Sequence, residues 1–137
     1  MKKHSYYILV LLLISCKQSN TVESISVING YWEIEKVILP DGTEKQYGFN
    51  QTIDFFEIQD SIGIRKKLQP KLDGTFIASK DSETFSIKAS NDSLYLFYKN
   101  YLSSRKETIV SLNQNQMILK NESQNLYFYK RFIKLKL

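Results

Sequence analysis

From Asn29 onward, apolar and polar side chains alternate with a period of two, and turn-forming residues interrupt the alternation about every ten positions. That period puts successive side chains on opposite faces of a strand, whereas no stretch repeats with the three-to-four spacing of a helix. In 30–39, Trp32, Ile34 and Ile38 share one face and Glu33 and Glu35 the other. In 62–72 the even positions read Ile62, Ile64, Lys66, Leu68, Pro70 and Leu72 against Gly63, Arg65, Lys67, Gln69 and Lys71. The apolar residues of 52–58 change phase between Phe55 and Phe56, as a bulge would produce. Pro40-Asp41-Gly42, Asp60-Ser61, Asp73-Gly74, Lys80-Asp81-Ser82, Ser90-Asn91-Asp92 and Asn113-Gln114-Asn115 supply turns. The expected strands are 30–39, 52–58, 62–72, 75–79, 83–89, 94–99, 106–112, 116–120 and 126–133, and only 100–105 leaves room for a helical turn. Short, evenly spaced strands of this kind build an antiparallel barrel or sandwich.

The segment before the alternation is of another type. Lys2 and Lys3 precede a short apolar run, Ile8 to Ile14, and then Ser15-Cys16. These are the parts of a secretory signal, and the run is far short of the about 20 residues that a spanning helix needs. The ending Leu13-Ile14-Ser15-Cys16 resembles the lipobox of bacterial lipoproteins. The resemblance implies cleavage before Cys16, diacylglycerol on its thiol and acylation of the new amino terminus, since several acyl chains together anchor stably where one does not. Residues 1–15 are then signal peptide, 16–28 the lipidated Cys and a flexible tether, 29–133 the folded domain and 134–137 a basic tail. No acidic cluster follows Cys16, which favours an outer-membrane anchor facing the periplasm.

The chain has one Cys and one His, Cys16 and His4, both in the first sixteen residues. A domain beginning at Asn29 has neither, which excludes Cys/His zinc sites and His-dependent nucleophilic catalysis. Paired carboxylates remain, Asp54 with Glu57 or Glu33 with Glu35, but carboxylates opposite a Trp/Ile face ordinarily meet water. The chain is therefore expected to be no enzyme and to need no cofactor. Its formal charge of +5 also weakens on inspection: without residues 1–15 there are 17 basic and 14 acidic side chains, and Lys130, Arg131, Lys134 and Lys136 account for the excess. A near-neutral body with a basic end is not a nucleic-acid surface.

Two features at the ends of the alternating region carry a family resemblance. Gly30-x-Trp32 opens the first strand, and Tyr127-x-Tyr129-x-Arg131 lies on the last. Together they resemble small bacterial lipocalin-like (calycin-type) domains, many of them lipoproteins. The resemblance implies a small antiparallel up-and-down β-barrel of about eight or nine strands, in which Arg131 covers Trp32 by a cation–π contact and closes one end. The disulfides, loop motifs and C-terminal helix of the large secreted lipocalins are absent from this sequence.

Ligand candidates follow from the aromatic strands. Phe55, Phe76, Phe85 and Tyr98 are candidates to line an apolar pocket, and Lys66, a lone cation on an otherwise apolar strand face, to meet an anionic head group. An eight-stranded interior is just wide enough for one small ligand or for its own side chains. Two expectations therefore stand. One is a membrane-anchored lipoprotein binding a small hydrophobic or amphipathic ligand. The other is a protein-interaction or inhibitor-type envelope lipoprotein with a filled barrel.

Overall fold

The computed structural model describes residues 24–50 and 52–133. Cys16, the signal segment and the tail 134–137 lie outside the described residues. Nine strands form one antiparallel sheet: β1 (Gly30–Ile38), β2 (Glu44–Gln46), β3 (Ile53–Gln59), β4 (Ile62–Pro70), β5 (Phe76–Ser90), β6 (Ser93–Lys99), β7 (Ser104–Leu112), β8 (Gln116–Lys120) and β9 (Leu126–Arg131). The strands follow one another around the sheet, with β9 returning to pair with β1. Eight strands thereby close into an up-and-down barrel, which leaves no open edge among them. β2 is additional: it is a short flap on the second half of β1, running from Lys36 opposite Gln46 to Ile38 opposite Glu44.

Turn chemistry fixes the hairpins. Asn91 and Asp92 both adopt left-handed backbone angles between β5 and β6, with φ of 48° and 61°, as a two-residue hairpin loop requires. Asp60, at φ 59°, turns β3 into β4. At the β4–β5 tip Gly74 has φ 83°, and the Asp73 carboxylate accepts from both the backbone and the hydroxyl of Thr75. The side-chain and backbone bonds from Thr75 hold that carboxyl below its ordinary pKa.

The register departs from the alternation in four places. β3 pairs with β4 without interruption from Ile53 to Gln59, so there is no bulge between Phe55 and Phe56. Phe56 faces the interior and Phe55 the outside, and both can be apolar because each face has something to pack against. On β4 the inward positions are Gly63, Arg65 and Lys67, so the even, mostly apolar series faces out and Ile62 is 59% exposed. The expected strands 75–79 and 83–89 are one strand, β5, with extra residues around Lys80: Lys66 opposes Ser82 but Leu68 opposes Ala78. Asp81 donates its N–H to Ser79 Oγ within that irregularity, so the turn residues there kink a strand instead of ending it. Residues 100–103 form a turn on the Asn100 side chain, not a helix.

One end of the lumen is a packed apolar base of Trp32, Phe56, Phe85, Leu96, Leu112, Met117 and Leu119. A short 3-10 helix, Ile25–Ile28, caps it with Ile28 wholly buried. The interior position Gly63 is set by Phe85, directly opposite on β5, whose ring lies across it. A Cβ built on Gly63 would lie 2.4 Å from Phe85 Cζ and 2.6 Å from Ile58 Cγ2. Gly63→Ala is therefore expected to overpack the base and cost about 1–3 kcal/mol in a urea melt, against no change for a cavity able to absorb a methyl group.

Candidate functional site

The two ends of the barrel are built differently. At the base, β9 is paired so that Arg131 lies opposite Trp32. The Arg131 guanidinium stands 3.8 Å from the Trp32 ring centre, a cation–π geometry. Its Nε donates to Gln114 O at 3.0 Å, Nη1 to Asn29 O at 2.8 Å and Nη2 to Val27 O at 2.8 Å. Beneath it the Trp32 indole N–H donates to Ile28 O at 2.8 Å. The 3-10 segment, β1, the β7–β8 turn and β9 are thus clasped at one point. Partial burial lowers the Arg131 pKa, but a guanidinium starts so far above neutrality that it stays charged.

Halfway up the lumen the packing changes from apolar to ionic. Arg65 points in from β4, where its Nη1 donates to Glu107 Oε1 at 2.8 Å and to the Tyr98 hydroxyl at 3.1 Å. Its Nη2 donates to Asp54 Oδ2 at 3.2 Å and to the Tyr129 hydroxyl at 3.0 Å. The same guanidinium lies 4.9 Å from the Phe56 ring centre, at the boundary with the base. Asp54 Oδ1 takes a second cation, Lys67 Nζ, at 2.6 Å. Burial pulls the Arg65 pKa down, but Tyr129, Tyr98, Asp54 and Glu107 outweigh that and hold it well above its ordinary value. Burial also pushes the Tyr98 and Tyr129 hydroxyls well up, which the neighbouring cation only partly offsets.

Above this layer the barrel opens into a cup of about 360 Å³, lined by Lys67, Glu83, Arg105, Glu122, Ser123 and Tyr127 among others. Arg105 pairs with Glu83 and lies with its guanidinium carbon 3.9 Å from the Tyr98 ring centre. Its other terminal nitrogen, Nη1, is buried, with Glu107 Oε1 4.0 Å away. Among the described residues no group of three or more His, Cys, Asp or Glu side chains is placed to hold a metal ion.

Residues 28–119, which include β1 to β7 and most of β8, match the model of the lipocalin-like domain. The chain belongs to the lipocalin-like family. Among solved structures it is similar to a lipocalin-like protein from Bacteroides uniformis ATCC 8492, with 11% identity, a TM-score of 0.49, and coverage of 77% of this chain and 99% of that one. It is also similar to apocrustacyanins C1 and C2, with 9% and 10% identity and TM-scores of 0.45. Each of those alignments covers 81% of this chain and 64% of the crustacyanin, so this chain spans less than two thirds of their length. Among curated proteins no sequence matches it.

The lipocalin-like lumen brings together only part of the candidate set. Phe85 lies inside, in the base, and Tyr98 lies inside, bonded to Arg65. Phe55 and Phe76 lie outside the lumen, on the outer wall with Tyr31. Lys66 also faces out, opposite Phe55, and cannot meet a ligand in the lumen. The inward cation of β4 is its neighbour Arg65, because a shift of one position exchanges the two faces of a strand. Asp54 and Glu57 fall on opposite faces, and Asp54 is held by Arg65 and Lys67. Glu107, like Arg65, was not singled out by the sequence. The signal was present as charges of both signs on inward positions, Asp54 on β3, Arg65 and Lys67 on β4, and Arg105 and Glu107 on β7, but it is readable only once the register is known.

Two measurements follow. Arg65→Met leaves Asp54 and Glu107 facing a buried apolar side chain, and is expected to cost about 3–5 kcal/mol in chemical denaturation. Tyr98 and Tyr129 bind their protons more tightly folded than unfolded, where tyrosine titrates near 10. Their contribution to stability is complete below pH about 10 and is lost as pH rises beyond it. Denaturation between pH 8 and 11 should show that decline, and Tyr98→Phe/Tyr129→Phe should flatten it.

Proposed function

We propose that this is a non-catalytic envelope lipoprotein, tethered by an acylated Cys16, that binds a small amphipathic ligand at the open end of its barrel. The observation that carries the ligand reading is the cup of about 360 Å³ over the Arg65 layer. Its volume lies at the small end of the range for ligand sites. Its lining mixes Tyr127 and Tyr129 with the charged side chains of Lys67, Arg105, Glu83 and Glu122. A wholly apolar ligand would strip water from those charges without replacing it, so the chemistry favours a ligand with an apolar body and a charged or zwitterionic head. The apolar base is taken up by its own side chains, which limits the ligand to the upper lumen. The tether reading is supported by Lys2, Lys3 and Leu13-Ile14-Ser15-Cys16.

The filled base favours a second reading as well, a protein-interaction or inhibitor-type lipoprotein without a small-molecule ligand. Native mass spectrometry of residues 17–137, purified from its own host, separates the two. A retained small molecule is expected, and Arg105→Ala is expected to weaken its rebinding about tenfold, the worth of one charge-assisted hydrogen bond. Recovery of the bare polypeptide together with a stoichiometric protein partner would establish the second reading instead. Mass analysis of the mature N-terminus tests the acyl groups, which Cys16→Ser should abolish.

A further inference from the structure

The cup leaves unexplained a set of apolar side chains on the outer wall. Tyr31 of β1 and Phe55 of β3 have ring centres 5.1 Å apart. Phe76 stacks on Tyr31 at 4.9 Å, and Phe132 meets Phe76 edge-on at 6.1 Å. The β4–β5 tip and the β2–β3 loop flank these rings and leave a groove of about 440 Å³. Its rim is exposed and apolar: Phe49 is 87% and Leu72 82% accessible, and Ile133, next to the groove residue Phe132, is 81% accessible.

We propose that this rim is a lipid-contact surface, with Phe49, Leu72 and Ile133 entering the headgroup boundary of an anionic bilayer. Lysines lie on this face and in the sequence that follows it. Lys71 stands beside Leu72, Lys130 lies two residues before Phe132, and the sequence continues with Lys134 and Lys136. Glu33 pairs with Lys130 at 3.4 Å and Asp73 accepts from Thr75, so the described charges balance and the basic excess lies in the sequence beyond Ile133. Exposed apolar side chains interspersed with lysine are the chemistry of an interfacial contact.

Chain reach points to the same partner. Phe132 N donates to Tyr31 O, and Arg131 bonds Val27 O and Asn29 O, so the chain enters the barrel beside the groove. Cys16 precedes Ser24 by eight positions, at most about 28 Å of extended chain. An acyl group on Cys16 therefore holds the bilayer within reach of the rim. This reach argument rests on the acylation reading, whereas the rim's own affinity does not.

The test is cosedimentation of residues 17–137, which contain every strand of the closed barrel, with vesicles of phosphatidylethanolamine and phosphatidylglycerol. The unacylated chain is expected to bind, and more weakly at high salt. Phe49→Ser/Leu72→Ser should reduce binding about tenfold or more at an unchanged melting temperature, since both side chains are solvent-exposed. Equal binding by that variant, or none by the parent chain, overturns the inference. So does a parent dimer that the same substitutions dissociate, because the rim would then be covered by a second copy. The mass of the mature N-terminus reads the acyl groups on Cys16 separately, so a failure of vesicle binding counts against the rim and not against the tether.

Discussion

A buried guanidinium divides the interior of this barrel. Arg65 reaches Asp54, Glu107, Tyr98 and Tyr129 from one strand, and so joins β3, β4, β6, β7 and β9 through a single side chain. Such a group adds little net stability over a well-packed apolar alternative, because desolvating three charges offsets most of their attraction. What it does set is arrangement. Each of four partners must lie at hydrogen-bonding distance, so slipping any of these strands by one residue would leave a buried charge or hydroxyl without a mate.

The layer also gives the molecule its polarity. Below it, Trp32, Phe56, Phe85, Leu96 and Met117 are buried together in one apolar cluster. Above it, charged and tyrosyl side chains line an open cup. The clasp of Arg131 on Trp32 seals the end where the chain enters and leaves. One arginine therefore closes the barrel and another floors the cup, and the two belong to different strands and different environments.

The fold was legible because it depends on a pattern. Alternation and turn residues give the strand count and spacing, and Gly30, Trp32 and Arg131 mark the first and last strands of a closed sheet. The site was less legible because it depends on phase. On β4 the even series looks like the core face, yet Ile62, Ile64 and Lys66 point outward, because the inward face holds Gly63, shaped by Phe85, and Arg65, balanced by two carboxylates. Neither compensation is visible from β4 alone, since the partners lie on β3, β5 and β7. The Lys80-Asp81-Ser82 stretch misleads for the opposite reason: polar turn chemistry there serves a kink in a continuous β5. β2 escaped notice because Glu44–Gln46 is too short and too exposed to show any alternation.

The pairing of β1 with β9 has a bearing on how the protein comes into being. Neighbouring hairpins can form as soon as each is complete, but Trp32 meets Arg131 only after nearly a hundred intervening residues. Contacts so distant in sequence are the slow ones in folding. Until β9 docks, β1 and β8 are both bare edges, and the 3-10 cap has no arginine to hold its carbonyls. A chain made from its N-terminus onward thus carries an unfinished sheet, with exposed hydrogen-bonding edges, until β9 has been made.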